Sequence, residues 1–472
     1  MTKLAFGFSA VAYGVKGQGF SYFLLIFYSQ ALGMDAFLVG LAILITFMVD
    51  AVSDPIVGWL SDNTTSRWGR RHPYMYASAI PISFAYWFLW NPPDSLVGND
   101  HFFWLLGISI LVRTLITVFE IPTTALAAEL TDDYHQRTSL FSYRNFFGYA
   151  GGILIGAIAL FFLLKKNETS GSGYTDIEGF GQYGLLASLM IFTSIMVSAL
   201  GTHRTIPYLK PREISSEKFS LTRLFREVFE TLSHKSFGAL FAATFFGYIA
   251  TGVAASLTYY IYGYFWGFTT DQASMITLSL LLSAFLALIL TPIVSRWLGK
   301  KRAIVSVGLI GFTIAPLPVV LRLLGLMPLN DSPILFPLIL TIAIVDYVMI
   351  IMVVILSSSM IADLVEDSQL RTGRRSEGLF FAAITFSRKA VEGMGIFMSS
   401  IILSLINFPK EVAPDQVPAE ALFRLGAFYA PTLYVLWMLM LFSLSFYKID
   451  QARHEANLRK LAELEEANKS PS

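Results

Sequence analysis

The sequence predicts an all-α membrane protein with twelve transmembrane helices arranged as two bundles of six. Hydrophobic residues make up 55 % of the 472 residues and charged residues only 14 %, whereas a soluble domain carries about 25 % charged residues. The mean hydropathy is +0.60. Long apolar segments also recur along the whole chain, which is typical of a multi-pass membrane protein.

The apolar segments are interpreted in order as the transmembrane helices. Several exceed the ~20 residues that cross a bilayer, which implies tilt or extension beyond the membrane. The first segment is expected to remain in the mature chain, because only Lys3 precedes it as a charge and no cleavage site follows. The approximate spans are 4–30, 37–60, 73–92, 101–130, 140–164, 183–202, 237–266, 272–296, 303–325, 333–361, 377–407 and 420–447.

A long polar segment between the sixth and seventh spans divides the chain into two halves. We expect an N-terminal six-helix bundle at 1–202, a middle loop at 203–236, a C-terminal six-helix bundle at 237–448 and a tail at 449–472. Lysine and arginine concentrate in the loops after spans 2, 6, 8 and 10, which predicts that these loops and both termini are cytoplasmic. The exceptions, on the opposite side, are Lys165, Lys166 and Lys410.

Two carboxylates interrupt the second apolar span. Asp50 and Asp54 are four residues apart, so both lie on one face of a helix. A carboxylate in hydrocarbon costs at least about 2.5 kcal/mol and marks a functional site by default. The pair therefore predicts a cation site and a cation-coupled transporter. The alternative is that the two carboxylates form ion pairs or cap broken helices.

Other classes of function lack support in the sequence. There is no cysteine, and the histidines have neither metal-ligand spacing nor a neighbouring nucleophile motif. We therefore expect neither an enzyme nor a cofactor other than the coupling ion. The net charge of +1 carries no information on a nucleic-acid partner, and no basic tract suggests one, so none is expected. The expected surroundings are membrane lipid, and the expected functional form is a monomer.

The strings DAVSDPIVGW at 50–59 and NTTSRWGR at 63–70 are similar to a known family motif. They resemble the melibiose permease-like glycoside–pentoside–hexuronide:cation symporters of the major facilitator superfamily. Weaker matches follow in the same order along the chain: Glu120-Ile121-Pro122, Tyr143 to Phe147, Ala362 to Glu366, Glu377, Thr385 and Lys389. The resemblance implies the major facilitator fold, symport of a sugar, and a bacterial inner membrane.

The resemblance also implies a set of cation ligands. The matching positions are Asp50, Ser53, Asp54 and Thr117, which in the family bind Na⁺, Li⁺ or H⁺. Carboxylate and hydroxyl oxygens are suitable ligands for a hard cation such as Na⁺ at Asp50 and Asp54. Ser53 stands where an asparagine is usual, so the coupling ion is expected to be Na⁺ or H⁺.

The expected substrate contacts come from the same resemblance. Glu120 and Arg144 match an acid and a base that contact sugar hydroxyls, although the two could instead pair to neutralise each other. Tyr13 and Gly14 stand in place of a lysine and a sugar-contacting aspartate, Thr124 in place of a tryptophan that stacks on the sugar, and Val354 in place of a second tryptophan. These departures predict a different substrate pose, and they leave a lysolipid or other amphiphile, carried with Na⁺, as the alternative cargo.

Further polar residues within the apolar spans are candidates for the same cavity. Arg113 lies seven residues before Glu120 on one helix face, and Asp346 lies inside span 10, so the two are expected to face each other across the cavity. Lys389 and Thr385 match family positions on span 11. Because Arg113, Arg144 and Lys389 make this set rich in bases, we expect an anionic substrate such as a hexuronide.

Glycines and charged loop residues are expected to serve the motion of the two bundles. Small residues are expected to allow the first and fifth helices to pack closely; they are Gly14, Gly17, Gly19, Gly148, Gly151, Gly152 and Gly156. Charged residues of two cytoplasmic loops are expected to form gating ion pairs, which requires a network because single surface pairs contribute under ~1 kcal/mol. They are Asp62, Arg67, Arg70, Asp363, Glu366, Arg374 and Arg375.

Overall fold

The structure is a computed structural model that describes residues 2–96, 98–131, 133–166, 171–208, 235–372 and 377–447. All regular elements in these ranges are helical. Nine of the described helices are long and apolar enough to cross a membrane, and Val391–Leu405 is a shorter apolar helix. The all-α prediction is confirmed.

Each of the twelve predicted spans falls on a helix. Because apolar stretches near bilayer length satisfy their backbone hydrogen bonds internally only as helices, hydropathy located them well. The helices are α1 (2–31), α2 (Ala36–Asp62), α3 (His72–Trp90), α4 (Asp100–Leu130), α5 (134–163), α6 (Ile177–His203), α7 (235–265), α8 (Thr270–Leu298), α9 (Lys300–Leu323), α10 (Leu335–Thr372), α11 (Glu377–Leu405) and α12 (Ala419–Ser445).

The chain forms two compact units. The first comprises Met1–Phe219, Gly252–Leu278 and Glu392–Leu425. Within it α1 packs against α5, α2 against α4, and α3 against α6. The start of α2 is fixed by Asp35, whose carboxylate accepts a hydrogen bond of 2.9 Å from the Phe37 amide, as an N-cap does.

Glycine brings α1 and α5 together at one point. A Cβ atom on Gly14 would lie 1.9 Å from the carbonyl oxygen of Gly148, so only glycine fits there. The prediction of close packing holds for this pair and for Gly152, where a Cβ atom would lie 2.8 Å from the Gly14 carbonyl oxygen. It is wrong for Gly17, where a Cβ atom would meet nothing within 4 Å.

Aromatic side chains fill one end of the first unit. Phe23 of α1 stacks on Tyr259 of α7 with ring centroids 5.0 Å apart. The middle of α1 is π-helical at Gly19–Phe23, and a Cβ atom on Gly19 would lie 2.1 Å from the Tyr86 hydroxyl. Tyr174, in the segment between α5 and α6, donates to the Phe268 carbonyl oxygen at 3.1 Å. Burial raises the pKa of Tyr174 well above its usual value, so this donor stays protonated.

The second unit comprises Ser220–Thr251, Ser279–Val391 and Gly426–Ser472. Its described part contains α9 packed against α10. Phe312 of α9 stacks on Trp437 of α12 with ring centroids 4.1 Å apart. The Tyr447 hydroxyl, just after α12, donates to the Met360 carbonyl oxygen at 3.1 Å.

One boundary differs from the prediction. The sequence places Asp363 and Glu366 in a loop after span 10, whereas α10 runs on to Thr372. A span defined by hydropathy ends with its last apolar residues, whereas a helix can continue through polar residues. Residues 358–372 contain neither glycine nor proline to interrupt it. Asp363 and Glu366 are therefore helical, although their side chains lie outside the described residues.

Candidate functional site

The carboxylate pair of α2 meets a threonine of α4. The Thr117 hydroxyl lies 2.8 Å from Asp50 Oδ1 and 3.0 Å from Asp54 Oδ1, so its single hydrogen is shared between the two acceptors. The Asp50 side chain is only 2 % exposed. Packing of α2 against α4 thus brings together three of the four predicted cation ligands.

The fourth predicted ligand is turned toward its own helix. The Ser53 hydroxyl donates to the backbone carbonyl oxygen of Asp50 at 3.0 Å, a common bond for serine inside a helix. Pro55 follows Asp54 directly and has no amide hydrogen to donate to the Ala51 carbonyl. The helix therefore has one backbone acceptor without its regular partner beside the pair.

Arg113 of α4 forms an ion pair with Asp50. Its Nη2 and Nε atoms are 2.5 Å and 3.1 Å from Asp50 Oδ2. The guanidinium carbon also lies 3.6 Å from the ring centroid of Phe47 on α2. Arg113 was expected in the substrate cavity, but its guanidinium lies in the carboxylate site.

The predicted sugar-binding acid has a basic partner on α1. Lys16 Nζ lies 3.8 Å from Glu120 Oε2, and both side chains are largely buried. The same ammonium lies 4.6 Å from the ring centroid of Tyr13, so Tyr13, Lys16 and Glu120 form one cluster. The Thr124 hydroxyl donates back to the Glu120 carbonyl oxygen at 2.7 Å.

The other predicted substrate residues lie on α5, α10 and α11. Arg144 of α5 lies 3.5 Å from the Ser9 hydroxyl of α1 and interacts electrostatically with Glu120 and Tyr13. Asp346 of α10 belongs to the second unit, where its buried Oδ1 atom has no hydrogen-bond partner among the described residues. Thr385 and Lys389 lie on α11, but their side chains are outside the described residues.

A charged network lies where α2, α3 and α4 meet, at the end predicted to be cytoplasmic. Glu129 accepts hydrogen bonds from Nε of Arg70 at 2.8 Å and from Nε of Arg71 at 2.9 Å. Arg71 also donates to Asp62 and, at 2.6 Å, to the Ser61 hydroxyl. The network thus includes two of the predicted gating residues, Asp62 and Arg70.

The remaining gating candidates fall elsewhere. Arg67 stands over the Trp68 ring at 5.5 Å. Arg374 and Arg375 lie outside the described residues, as do the side chains of Asp363 and Glu366.

Sequence reasoning missed three charged residues. Arg71 and Glu129 belong to the charged network with Asp62 and Arg70. The adjacent bases Arg70-Arg71 were a signal for Arg71, whereas Glu129 lies near the end of a helix, where an acidic residue is common. Glu392 of α11 accepts a hydrogen bond of 2.7 Å from the Ser21 hydroxyl of α1. Its signal was a carboxylate within an apolar span.

Several known proteins are similar to this chain. Residues 5–451 match the MFS/sugar transport protein family. The isoprimeverose transporter of Lactiplantibacillus pentosus is 26 % identical, over 98 % of this chain and 91 % of the relative. The putative glycoside/cation symporter YagG of Escherichia coli (strain K12) is 24 % identical, over 97 % and 94 %. Sodium-dependent lysophosphatidylcholine symporter 1 of Mus musculus is 23 % identical, over 99 % and 89 %.

A solved structure gives the fold independently. A bacterial homologue of the human drug peptide transporters PepT1 and PepT2 superposes with a TM-score of 0.62 at 13 % identity, over 98 % of this chain and 99 % of that chain. The resemblance to a symporter family is thereby confirmed in family and in fold. This multi-pass membrane chain belongs to the MFS/sugar transport protein family and has the all-α major facilitator fold.

Proposed function

We propose that this chain is a cation-coupled symporter of a sugar or glycoside, located in a bacterial inner membrane with both termini in the cytoplasm. The observation that carries the proposal is the Thr117 hydroxyl bridging Asp50 and Asp54 within a chain of a sugar-transport family. Two carboxylates at this depth are costly unless they bind a cation or are otherwise paired. The coupling ion is Na⁺ or H⁺.

Coupling between ion and substrate follows from their shared helix. Arg113, Thr117 and Glu120 lie at spacings of four and three residues on α4, so they form one stripe along its surface. At its Arg113 end this stripe contacts the carboxylates of α2, and at its Glu120 end it contacts Lys16 of α1. A change of charge at the carboxylates therefore acts on the helix that also carries the substrate acid.

The substrate side suits a polyhydroxylated molecule. The Glu120 carboxylate accepts hydrogen bonds, and the Lys16 ammonium and the Arg144 guanidinium donate them, so together they match hydroxyl groups, which do both. Asp50 neutralises Arg113, which leaves Arg144 as the base of the first unit that we propose for the carboxylate of a uronide. Glu392 with Ser21 adds a further acceptor on α11.

The test is uptake into proteoliposomes under an imposed gradient. Purified chain would be reconstituted and given a Na⁺ gradient, a proton gradient or neither, with radiolabelled isoprimeverose, melibiose and a glucuronide as the panel. Accumulation above equilibrium that needs one of the gradients supports symport. Uptake of a neutral disaccharide with no uptake of the glucuronide would refute the anionic substrate but keep the sugar proposal.

The lysolipid alternative keeps the same fold and ion site. It is favoured by Thr124 and by Val354, whose side chain is exposed, at positions where the family has aromatic residues for a sugar, and by the similarity to the mouse symporter. Competition separates the two cargoes: lysophosphatidylcholine below its micellar concentration should leave sugar uptake unchanged if the cargo is a sugar. Gradient-driven uptake of radiolabelled lysophosphatidylcholine, with no accumulation of any sugar of the panel, would favour the lipid.

A further inference from the structure

Arg113 is a charged residue within an apolar, bilayer-length helix. Its side chain is 4 % exposed and forms an ion pair with Asp50, which is 2 % exposed. Replacing a buried ion pair by apolar residues is often neutral or stabilising, so a buried pair is weak evidence for a structural role. Charged groups at such depth usually serve function, and the function has to be sought at Asp50.

The guanidinium is held in one orientation. Two of its nitrogens donate to the same Asp50 oxygen, at 2.5 Å and 3.1 Å. The ring centroids of Phe47 and Phe20 lie 3.6 Å and 5.4 Å from its central carbon. Aromatic faces attract a cation, and they also keep water away from it. The positive charge is therefore fixed beside the carboxylate.

Both oxygens of Asp50 already accept hydrogen bonds. Arg113 occupies Oδ2, and the Thr117 hydroxyl lies against Oδ1. An alkali cation needs several oxygen ligands at once and gains its binding energy from their negative charge. At Asp50 it would meet a guanidinium of the same sign within a few ångströms, where water screens little of the repulsion.

We propose that Arg113 is the resident cation of this site: its guanidinium takes the place at Asp50 that an alkali cation would take, and it thereby selects against Na⁺ and Li⁺. The carboxylate and hydroxyl oxygens are suitable ligands for Na⁺ by type, but the guanidinium of Arg113 on Asp50 makes the site unfavourable for it. The inference rests on the proposed coupling role of the carboxylate pair. Of the two coupling ions named above, it leaves the proton.

The test uses Na⁺ itself as the probe. Thermal unfolding of the purified full chain in detergent would be followed in NaCl, LiCl and choline chloride at equal ionic strength. We expect no difference between the three salts for the wild type. Arg113→Gln should gain a Na⁺-specific rise in Tm of roughly 2 °C or more, since a ligand that binds only the folded state raises its stability.

A matched variant controls for the loss of an arginine. Arg70→Gln removes a guanidinium from Glu129, which keeps Arg71 as a partner, and it should gain no response to Na⁺. Arg113→Gln leaves the Asp50 charge buried without its partner. If this variant does not fold, direct binding of ²²Na⁺ to the wild type decides. The wild type should bind none above the level of the choline-competed blank.

Two results would overturn the proposal. One is binding of ²²Na⁺ to the wild type that Asp54→Asn removes. The other is a folded Arg113→Gln that remains as indifferent to Na⁺ as the wild type. None of these measurements needs a sugar, so failure of sugar uptake counts against the proposed function alone, whereas a Na⁺ response of the wild type counts against the role of Arg113 alone.

Discussion

The Asp50–Arg113 pair and the Asp35–Lys410 pair join similar groups within the same compact unit, but only the first is shielded from water. The Asp50 and Arg113 side chains are 2 % and 4 % exposed, whereas those of Asp35 and Lys410 are 45 % and 43 % exposed. The Lys165–Asp271 pair is exposed to a similar extent. These pairs therefore compare the same chemistry in two media.

The net contribution of an ion pair to stability differs from the stability that is lost when one partner is removed. An exposed pair contributes ~0–1 kcal/mol because water and salt screen it and long side chains lose entropy. A buried pair contributes little more in net terms, yet removal of one partner leaves a charge without compensation, at about 3–5 kcal/mol. Burial thus predicts which substitutions of paired charges cost the most stability.

The largest effect is expected at Asp54. Asp54→Asn should abolish gradient-driven accumulation of the transported sugar, because the amide removes the charge that makes the site attractive to a cation. The asparagine can still accept from Thr117, and the Asp50–Arg113 contact is untouched, so folding should be preserved. The measurements are uptake with and without the gradient, and exchange of internal for external sugar, which should survive.

Asp271→Asn provides the matched exposed substitution. Asp271 loses the same charge, but its partner Lys165 remains in water, so accumulation should stay within about twofold of the wild type. Equal loss of accumulation in both variants would show that the effect is not specific to the carboxylate pair.

The next effect concerns stability. Arg113→Ala should lower the free energy of unfolding by about 3–5 kcal/mol, since it strands the Asp50 carboxylate in a buried place. Adding Asp50→Asn should recover most of that loss, because the amide no longer carries a charge. Unfolding in detergent, followed by tryptophan fluorescence, measures both. A single variant that loses under 1 kcal/mol would contradict the comparison.

An intermediate effect is expected in the charged network. Glu129 is 7 % exposed on its side chain and accepts from two arginines, whereas Asp62 is 47 % exposed. Glu129→Gln should cost about 1–3 kcal/mol, because charged hydrogen bonds to a buried acceptor are lost. Asp62→Asn should cost under ~1 kcal/mol. Unfolding curves of the two variants in one buffer give the difference, and a reversed order would overturn the ranking by burial.

Much of the fold and part of the site were predictable from sequence. Hydropathy located the twelve long helices of the described residues, because the bilayer imposes length and apolarity on each span. The contact of Thr117 with Asp50 and Asp54 was expected from the family resemblance. Arg113 was not expected there: its spacing from Glu120 fixes a face of α4 but not which neighbouring helix that face meets. Its partner Asp50 is 63 residues away in the chain.

The exposed pairs show the same limit. Lys165 and Lys410 are exceptions to the predicted charge distribution, and Asp35 and Asp271 are ordinary loop acids by sequence. The structure pairs Lys165 with Asp271 and Lys410 with Asp35, across 106 and 375 residues. The loop sequences show how many charges lie on each side of the membrane. Which of these charges form pairs depends on which loops come into contact, and only the fold determines those contacts.

The smallest effect is expected at Asp35, where one carboxylate has two roles. Its Oδ1 caps α2 through the Phe37 amide at 2.9 Å, and its Oδ2 meets Lys410 Nζ at 3.2 Å. Asparagine caps a helix about as well as aspartate, whereas alanine costs ~1 kcal/mol.

Asp35→Asn and Lys410→Ala should therefore each change the free energy of unfolding by under ~0.5 kcal/mol in 150 mM salt. Asp35→Ala should cost about 1 kcal/mol more than Asp35→Asn. If Asp35→Asn instead costs as much as Asp35→Ala, the exposed pair is worth more than the cap, and exposure is a poor guide to the strength of an ion pair in this protein.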